Sequence, residues 1–364
     1  MGVDADVEAG PAVAAADPLP SAIASSPLPA DVRVETAAGW RAVMLPVLRF
    51  VFDASLLPMI GLVLVGRLGQ RDWLFEMTNY FRPHIAAVVL VFVLIALLTD
   101  SRPRLAVSAL LFGAALFPLV WTAVPKAAPA AAGNLRLMSA NVLRTNSDFA
   151  RFQQAVAEAD PDIVVMQEAI ATWRPTATSL PGLTYVTDPD PLSSIVVASR
   201  YPIRYAPVKP ALRAMPDGRT GGARAIRLEI DRPGATRPLI LYAIHAPTTR
   251  LAGGWFARNA YLRQIARLVQ REPDSADVIV AGDWNTAFWS PTLGEVLAIS
   301  GLATTEPGAW PPPTRFFREF GLPPALGTPI DRIAVSRRIG LARIAVGGDI
   351  GSDHLPVTAD LALP

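Results

Sequence analysis

The segment P-D-I-V-V-M-Q-E, residues 161–168, decides how the second part of this chain folds. Four apolar residues follow the Pro-Asp pair and stop at a Gln-Glu pair, which is typical of a short buried strand. The segment L-R-L-M-S-A-N, residues 135–141, has a similar arrangement and also stops at a polar side chain. Both segments therefore predict strands with a polar residue at the carboxyl end.

Further strand and helix patterns surround these two segments from residue 134 onward. The stretch Trp255–Arg271 predicts an amphipathic helix, and Asp148–Ala159 predicts another. Further strands are expected at the following positions: 194–198, 225–230, 239–244, 278–281, 333–335, 344–346 and 355–361. Many strands with few crossover helices favour an α+β class, in which two packed sheets are flanked by helices.

Polar residues that can support catalysis follow the predicted strands one after another, or stand at their starts. They are Asn141, Glu168, His245, Asp283, Asn285, Asp331, Asp353 and His354. Because strand ends adjoin loops on one edge of a sheet, these side chains could converge on one cleft. Taken singly, each also has an ordinary structural interpretation as a cap, a turn residue or a core histidine.

The residue types in this set suit phosphate chemistry at a metal ion. Oxygen ligands such as Glu168, Asn141 and Asp353 fit a hard cation, Mg²⁺ or Mn²⁺. Asp283 and Asn285, two residues apart, could orient a water or a phosphate oxygen. The histidines, His245 and His354, could transfer protons because imidazole titrates near neutrality, and Asp331 could fix the ring of His354.

Seven short motifs in order resemble the endonuclease/exonuclease/phosphatase superfamily, which includes deoxyribonuclease-I-like nucleases, neutral sphingomyelinases and inositol polyphosphate 5-phosphatases. They are L-R-L-M-S-A-N-V-L (135–143), P-D-I-V-V-M-Q-E (161–168), S-I-V-V-A-S-R-Y-P-I (194–203), A-I-H-A-P (243–247), A-G-D-W-N (281–285), I-D-R-I (330–333) and S-D-H-L-P-V (352–357). The resemblance covers residues 134–364. It implies a four-layer αββα sandwich and catalysis with a divalent metal.

The resemblance also implies a role for each matching residue. Glu168 would be the main metal ligand, with Asn141 and Asp353 nearby. Asp283 would align or deprotonate the attacking water, and Asn285 would bind the phosphate. His354, held by Asp331, would contact the scissile phosphate, and His245 would protonate the leaving group or stabilise the phosphate.

Two positions depart from the family pattern. Leu143 stands where members often carry a second polar residue, which weakens the case for a second metal ion. Arg332 stands where many members have histidine, and it could add a phosphate contact. Arg224 and Arg250 are further candidates for substrate binding, since a guanidinium matches phosphate, although a solvated surface is the usual place for an arginine.

The composition of the chain indicates a membrane-embedded part. Of its 364 residues, 51% are apolar. The charged fraction is 18%, which is below the ~25% usual in soluble domains. The net charge of +2 excludes a strongly basic protein that coats nucleic acid, but not a nuclease. The absence of cysteine excludes disulfides and thiolate metal sites.

The first part of the chain predicts a disordered tail followed by membrane helices. Proline-rich residues 1–42 are expected to be disordered. Within residues 43–125, a transmembrane region, three apolar runs predict a bundle of about three transmembrane helices, at 43–66, 83–99 and 105–124. Residues 126–133 are expected to be a linker. The alternative is that the three runs are buried helices of a soluble domain.

The charges in the loops give conflicting evidence on membrane orientation. Arg102 and Arg104, in the tight turn before the third run, favour a cytoplasmic turn and a catalytic domain outside an inner or cell membrane. Arg67, Arg71 and Arg82 in the first loop argue the other way. We expect an integral membrane protein with an extracytoplasmic catalytic domain.

The expected function is metal-dependent hydrolysis of phosphate esters at a membrane. A phosphodiesterase of nuclease type and one of phospholipid or sphingomyelin type both remain open at this point. The expected partners are such a substrate and the lipid bilayer. The alternative is a non-catalytic, membrane-anchored binding or scaffolding protein that retains the fold.

Overall fold

The structure is a computed structural model that describes residues 30–121, 124–187, 193–208, 213–214, 220–221, 224–306, 308 and 310–364. The helices of these residues are α1 (Ala30–Val65), α2 (Trp73–Tyr80), α3 (Arg82–Leu98), α4 (Arg102–Val120), α5 (Phe149–Ala159), α6 (Arg174–Thr178), α7 (Ala252–Gln270) and α8 (Pro291–Ser300). The strands are β1 (Ala128–Pro129), β2 (Leu135–Asn141), β3 (Ile163–Gln167), β4 (Tyr185–Val186), β5 (Ile195–Ser199), β6 (Ile203–Pro207), β7 (Arg213–Ala214), β8 (Thr220–Gly221), β9 (Ile226–Ile230), β10 (Leu239–His245), β11 (Asp277–Asp283), β12 (Leu302–Thr304), β13 (Asp331–Ser336), β14 (Gly340–Val346) and β15 (Val357–Ala362).

Two mixed sheets carry the second part of the chain. One has the strand order β1-β14-β15-β2-β3-β5-β4, and the other has the order β12-β13-β11-β10-β9-β6. Each sheet contains one parallel pair near its centre, β2 with β3 and β10 with β11. The registers of these pairs place Asn141 opposite Gln167 and His245 opposite Asp283. Polar residues of both pairs therefore lie at the carboxyl ends of neighbouring strands.

The two sheets pack face to face, and helices cover their outer faces. Leu137 and Val165 of the first sheet share one apolar core with Leu241 of the second. On the outside of the first sheet, Phe152 of α5 and nearby side chains form a second core. Leu262 of α7 belongs to the core outside the second sheet. This is the predicted α+β class with an αββα order of layers, and the prediction is confirmed.

The amino-terminal helices agree with the three predicted apolar runs, with differences in their bounds. Among the described residues, the stretch Ala42–Leu68 and helix α4 are long and apolar enough to cross a membrane. Helices α2 and α3 satisfy the same test only as a pair, which is bent by 76°. The structure thus offers two candidate membrane spans, or three if the bent pair is one span.

The helix α1 begins earlier than the sequence predicted. Residues 1–29 of the expected tail lie outside the described residues, but 30–42 are helical. No proline occurs between Ala30 and Pro46, and the residues in between are compatible with a helix, so the helix continues toward the amino terminus.

Helix α2 and strand β1 were not predicted. The expected linker 126–133 adds to both sheets: Ala128 and Pro129 pair with β14, and Lys126 forms a parallel bridge to Thr304. By its contacts the chain divides after Arg49, and Phe50–Pro364 forms one unit. Helices α2 to α4 and the sandwich therefore belong to the same unit, although the sequence indicated a boundary near residue 125.

Candidate active site

The carboxyl ends of the two parallel strand pairs bring their polar residues together. Asn141 ends β2 and its Nδ2 lies 3.4 Å from Glu168 Oε1, just after β3. The same Nδ2 lies 3.2 Å from Asp283 Oδ2, at the end of β11 in the opposite sheet. Asn141 thus connects a carboxylate of each sheet, and the side chain is 1% exposed.

The backbone around Glu168 holds an unusual conformation. Glu168 has a φ of 58°, in the left-handed region that non-glycine residues seldom adopt. Its Oε2 accepts a 3.0 Å hydrogen bond from the backbone N–H of Arg144, which fixes the carboxylate from the other side. Strained residues of this kind cluster at functional sites, so the geometry marks Glu168 as a candidate.

Asp283 ends β11, and the chain turns directly after it, at Asn285. Asn285 has a φ of 45°, and its backbone N–H donates to Asp283 Oδ1 over 2.8 Å. The Asn285 Nδ2 donates to Ala246 O over 2.8 Å and to Asp283 Oδ2 over 3.2 Å. The two side chains therefore meet as predicted, but through a turn. Trp284 between them is buried.

The two histidines lie on either side of Asp283. His245 Nε2 is 3.8 Å from Asp283 Oδ2 and 3.9 Å from Glu168 Oε1. His354 Nε2 is also 3.8 Å from Asp283 Oδ2. The other ring nitrogen of His354, Nδ1, contacts Asp331 Oδ2 at 2.8 Å, so this carboxylate fixes the ring orientation.

Burial and neighbouring charges shift the pKa values in this cluster apart. Burial, followed by the charge of Asp331, raises the pKa of Asp283 to about 7. Burial alone would lower the pKa of His354, but the charge of Asp331 and its hydrogen bond outweigh burial and raise that pKa to about 9. Burial lowers the pKa of His245 below its ordinary value, against the charge of Glu168. An aspartate that titrates near neutrality beside a cationic histidine suits acid–base catalysis.

Two groups of side chains offer ligands to a cation. The first group is the predicted set Glu168, Asn141 and Asp353: Glu168 and Asn141 contact each other, and Asp353 contacts Arg315 at 3.1 Å through one oxygen and lies 4.0 Å from His354 Nε2 through the other, so this set stays a prediction. The second group is Asp283, Asp331 and His354, whose ligand atoms lie within 4.8 Å of one another. Its Asp331 Oδ1 is buried and has no hydrogen-bond partner. Carboxylate and amide oxygens are the donors that Mg²⁺ and Mn²⁺ prefer, so the residues fit a hard divalent ion.

The three candidate substrate-binding arginines have different surroundings. Arg332 is fully buried, forms an ion pair with Glu306, and its guanidinium lies 5.7 Å from the centre of the Trp284 ring. These contacts occupy its guanidinium, so we drop Arg332 from the substrate-binding set. Arg224 is half-buried and Arg250 is exposed, and both remain predictions.

Several supporting residues were missed at the sequence level. Ser352 Oγ accepts from the backbone N–H of His354 and donates to Asn141 O over 2.8 Å, so it links the last motif to the first. Thr314 Oγ1 accepts from the backbone N–H of Asp331, and Arg315 holds Asp353. Ser352 lies inside a recognised motif. Thr314 and Arg315 stand in an irregular segment without periodicity, which gives no signal.

The site and the sandwich together agree with one family. The profile of the Endonuclease/Exonuclease/phosphatase family matches residues 138–354, more than half of the chain. The chain therefore belongs to the endonuclease/exonuclease/phosphatase family, whose enzymes hydrolyse phosphate esters and depend on divalent metals.

Three solved structures illustrate the similarity of fold. An endonuclease/exonuclease/phosphatase from Beutenbergia cavernae has 20% identity and a TM-score of 0.47, covering 63% of this chain and 71% of that one. A family protein from Leptotrichia buccalis has 15% identity and a TM-score of 0.49, covering 63% and 100%. Sphingomyelinase C from Streptomyces griseocarneus has 16% identity and a TM-score of 0.46, covering 63% and 99%. No curated protein sequence matches the chain significantly.

Proposed function

We propose that this chain is a membrane-bound phosphodiesterase that depends on a divalent metal ion, Mg²⁺ or Mn²⁺. The observation that carries the proposal is the convergence of four side chains from both sheets around Asp283. Asn141 Nδ2 lies 3.2 Å from Asp283 Oδ2, and the Nε2 atoms of His245 and His354 each lie 3.8 Å from the same oxygen. Glu168 completes the group through Asn141.

Glu168, with Asn141 and Asp353, would hold the metal ion. When bound, a divalent cation polarises a phosphoryl oxygen and offsets the charge that develops during hydrolysis. Burial alone would raise the pKa of Glu168, but the hydrogen bond from the Arg144 backbone, together with the neighbouring histidines and the hydrogen bond from Asn141, outweighs burial and lowers that pKa below its ordinary value. Glu168 is therefore an anion at neutral pH.

Asp283 is the proposed base. Its pKa of about 7 allows it to take a proton from a water near neutral pH. The two hydrogen bonds from Asn285 fix the carboxylate, so that its orientation does not depend on the substrate. Asn285 itself is the proposed contact for a phosphate oxygen.

The two histidines are proposed to have different roles. His354 carries a proton at neutral pH because its pKa is about 9, so its Nε2 can donate a hydrogen bond to a negatively charged phosphate oxygen. His245 lies on the other side of Asp283 and is the proposed contact of the leaving group or of the phosphate; because burial lowers its pKa, the ring is mainly neutral near pH 7 and can donate a hydrogen bond there through its ring N–H. The candidate spans α1 and α4 would keep this chemistry at a membrane surface, with the catalytic domain outside.

The test is turnover by the full chain purified in detergent. Its substrates are a chromogenic phosphodiester, DNA, sphingomyelin and phosphoinositides, each with Mg²⁺, with Mn²⁺ and with EDTA. We expect hydrolysis of at least one diester that EDTA abolishes and that Asp283→Asn lowers by a factor of roughly 10²–10⁴, the range of general-base effects.

The matched control is Asp231→Asn. Asp231 is an exposed aspartate just after β9, outside the site, and its change should leave turnover unaffected. Absence of metal-dependent turnover on every substrate would contradict the proposal and favour the non-catalytic alternative. Native turnover in Asp283→Asn would contradict the assigned role of this residue.

A further inference from the structure

Helix α2, which stands between two apolar helices, contacts the turn that carries the proposed catalytic residues. The Tyr80 hydroxyl donates a 2.5 Å hydrogen bond to the backbone carbonyl of Asn285. Thr249 Oγ1 donates in turn to the Tyr80 hydroxyl over 2.9 Å, and Trp73 Nε1 donates to Thr249 O over 2.7 Å. One face of α2 is thus bonded both to the loop after β10 and to the turn after β11.

A buried ion pair lies beside this contact. Glu76 of α2 and Arg258 of α7 are both 0% exposed, and Arg258 Nη2 lies 2.9 Å from Glu76 Oε1. The same carboxylate oxygen accepts a 2.7 Å hydrogen bond from Ser290 Oγ. Glu76 Oε2 accepts from Asn79 Nδ2 over 3.2 Å. Both oxygens of this buried carboxylate are therefore satisfied, which a buried charge requires.

Arg258 connects the ion pair to the catalytic turn. Its Nη1 donates to the Asn285 carbonyl over 3.1 Å and to Thr286 Oγ1 over 2.7 Å. The Asn285 carbonyl thus accepts hydrogen bonds from two sources, Tyr80 and Arg258. Tyr80 and Arg258 therefore both help to hold the Asn285 carbonyl in place, and Glu76 contributes through its ion pair with Arg258.

The backbone at Asn285 has an unusual conformation that these hydrogen bonds stabilise. Asn285 adopts a φ of 45°, a left-handed conformation that asparagine enters more readily than most residues and that the surrounding contacts stabilise. Its side chain and backbone N–H hold Asp283, the proposed base. A shift of the turn would therefore move both the base and the proposed phosphate contact.

We infer that α2 is part of the active site, and that Tyr80 and Glu76 are positioning residues for the Asp283–Thr286 turn. The inference rests on the proposed function for its catalytic consequence. It gives the amino-terminal helices a second task besides attachment to a membrane, because α2 lies directly between α1 and α3. The hydroxyl of Tyr80 contacts this turn directly, whereas Glu76 acts on it through Arg258.

The test compares Tyr80→Phe with Tyr185→Phe in the full chain in detergent. Both changes remove one hydroxyl, but Tyr185 lies on β4 at the edge of the other sheet, 41% exposed. With Mg²⁺ and a chromogenic phosphodiester, Tyr80→Phe should lower kcat roughly tenfold, the effect of losing one well-placed hydrogen bond on a catalytic group. KM and the Mg²⁺ concentration for half-maximal rate should stay within about twofold of the native values. Tyr185→Phe should match the native chain in kcat.

Hydrogen–deuterium exchange of the backbone gives a second readout that does not require activity. Amides in the segment 283–290 should exchange faster in Tyr80→Phe than in the native chain or in Tyr185→Phe. If the native chain is active and Tyr80→Phe has native kcat, the positioning role is refuted while the proposed function stands. If the native chain has no activity, the proposed function fails, and exchange alone decides: unchanged exchange at 283–290 overturns the role of α2, and faster exchange supports it.

Discussion

Replacement of Gly282 by alanine tests whether the neighbouring strands β10 and β11 must lie at a fixed distance from each other. Gly282 stands directly before Asp283 and pairs with Ile244, the residue before His245. Its φ of +150° is rarely adopted by residues with a side chain. A Cβ at this position would lie 1.9 Å from the carbonyl oxygen of Ile244, a distance that no real contact allows.

The size of the effect follows from this distance. For the Cβ to reach ordinary contact at 3.4 Å, β10 and β11 must separate by about 1.5 Å, since the clashing atom is backbone and cannot rotate away. A misplacement of about 1 Å at a catalytic group can cost on the order of 100-fold in rate. We therefore expect kcat to fall at least 100-fold in Gly282→Ala. The strained backbone adds a loss of roughly 1–3 kcal/mol in folding free energy.

The assay is hydrolysis of a chromogenic phosphodiester with Mg²⁺ by full-length protein in detergent, with thermal unfolding measured on the same sample. The control is Gly294→Ala in α8, where an added Cβ meets nothing within 4 Å. That change should leave kcat unaltered and stabilise the helix by roughly 0.5–1 kcal/mol. If folded Gly282→Ala keeps native kcat, the spacing of His245 and Asp283 does not control the reaction, and this reasoning is refuted.

Two further predictions concern a histidine and the membrane. Asp331→Asn should lower the pKa of His354 from about 9 toward the ordinary histidine value of 6.5, because the charge and hydrogen bond that raise it are weakened. In the native chain the His354–Asp331 pair stabilises the fold fully below pH 6.5, and this stabilisation is lost as the pH rises through 9. The variant should therefore lose more unfolding free energy at pH 6 than at pH 10. Equal losses of unfolding free energy at the two pH values would contradict this linkage. The chain has no cysteine, so Ser147→Cys introduces a single exposed thiol in the catalytic domain, and an impermeant maleimide should label it on intact cells. Labelling only after lysis would place the domain in the cytoplasm.

The sequence predicted the sandwich because its strands carry strong local signals. The runs that end at Asn141, Glu168 and Asp283 are apolar on both faces, as strands between two layers must be. Each run stops at a polar residue, and that residue lies in the candidate active site. Short edge strands such as β1 and β4 consist of two residues and have no alternating pattern, so they could not be predicted from local sequence.

The support around the site could not be read from the sequence because it depends on contacts between distant residues. Glu76 and Arg258 are 182 positions apart, and each alone resembles a solvated charge on a helix. Arg332 looked like a phosphate ligand, but its pairing with Glu306 requires knowledge of how β13 lies beside the segment that follows β12. Local patterns reveal strands and helices, whereas ion pairs across layers follow only from the fold.

The dependence of turnover on Mg²⁺ in the native chain and in Glu168→Gln tests the central claim most directly. Glu168→Gln keeps the size of the side chain and removes the carboxylate that would bind the cation. We predict that the native chain loses activity in EDTA and regains it with Mg²⁺, and that the variant needs at least tenfold more Mg²⁺ for half-maximal rate, as is usual when a ligand is altered. Identical Mg²⁺ curves for the two proteins, or full activity in EDTA, would contradict a metal ion held at Glu168.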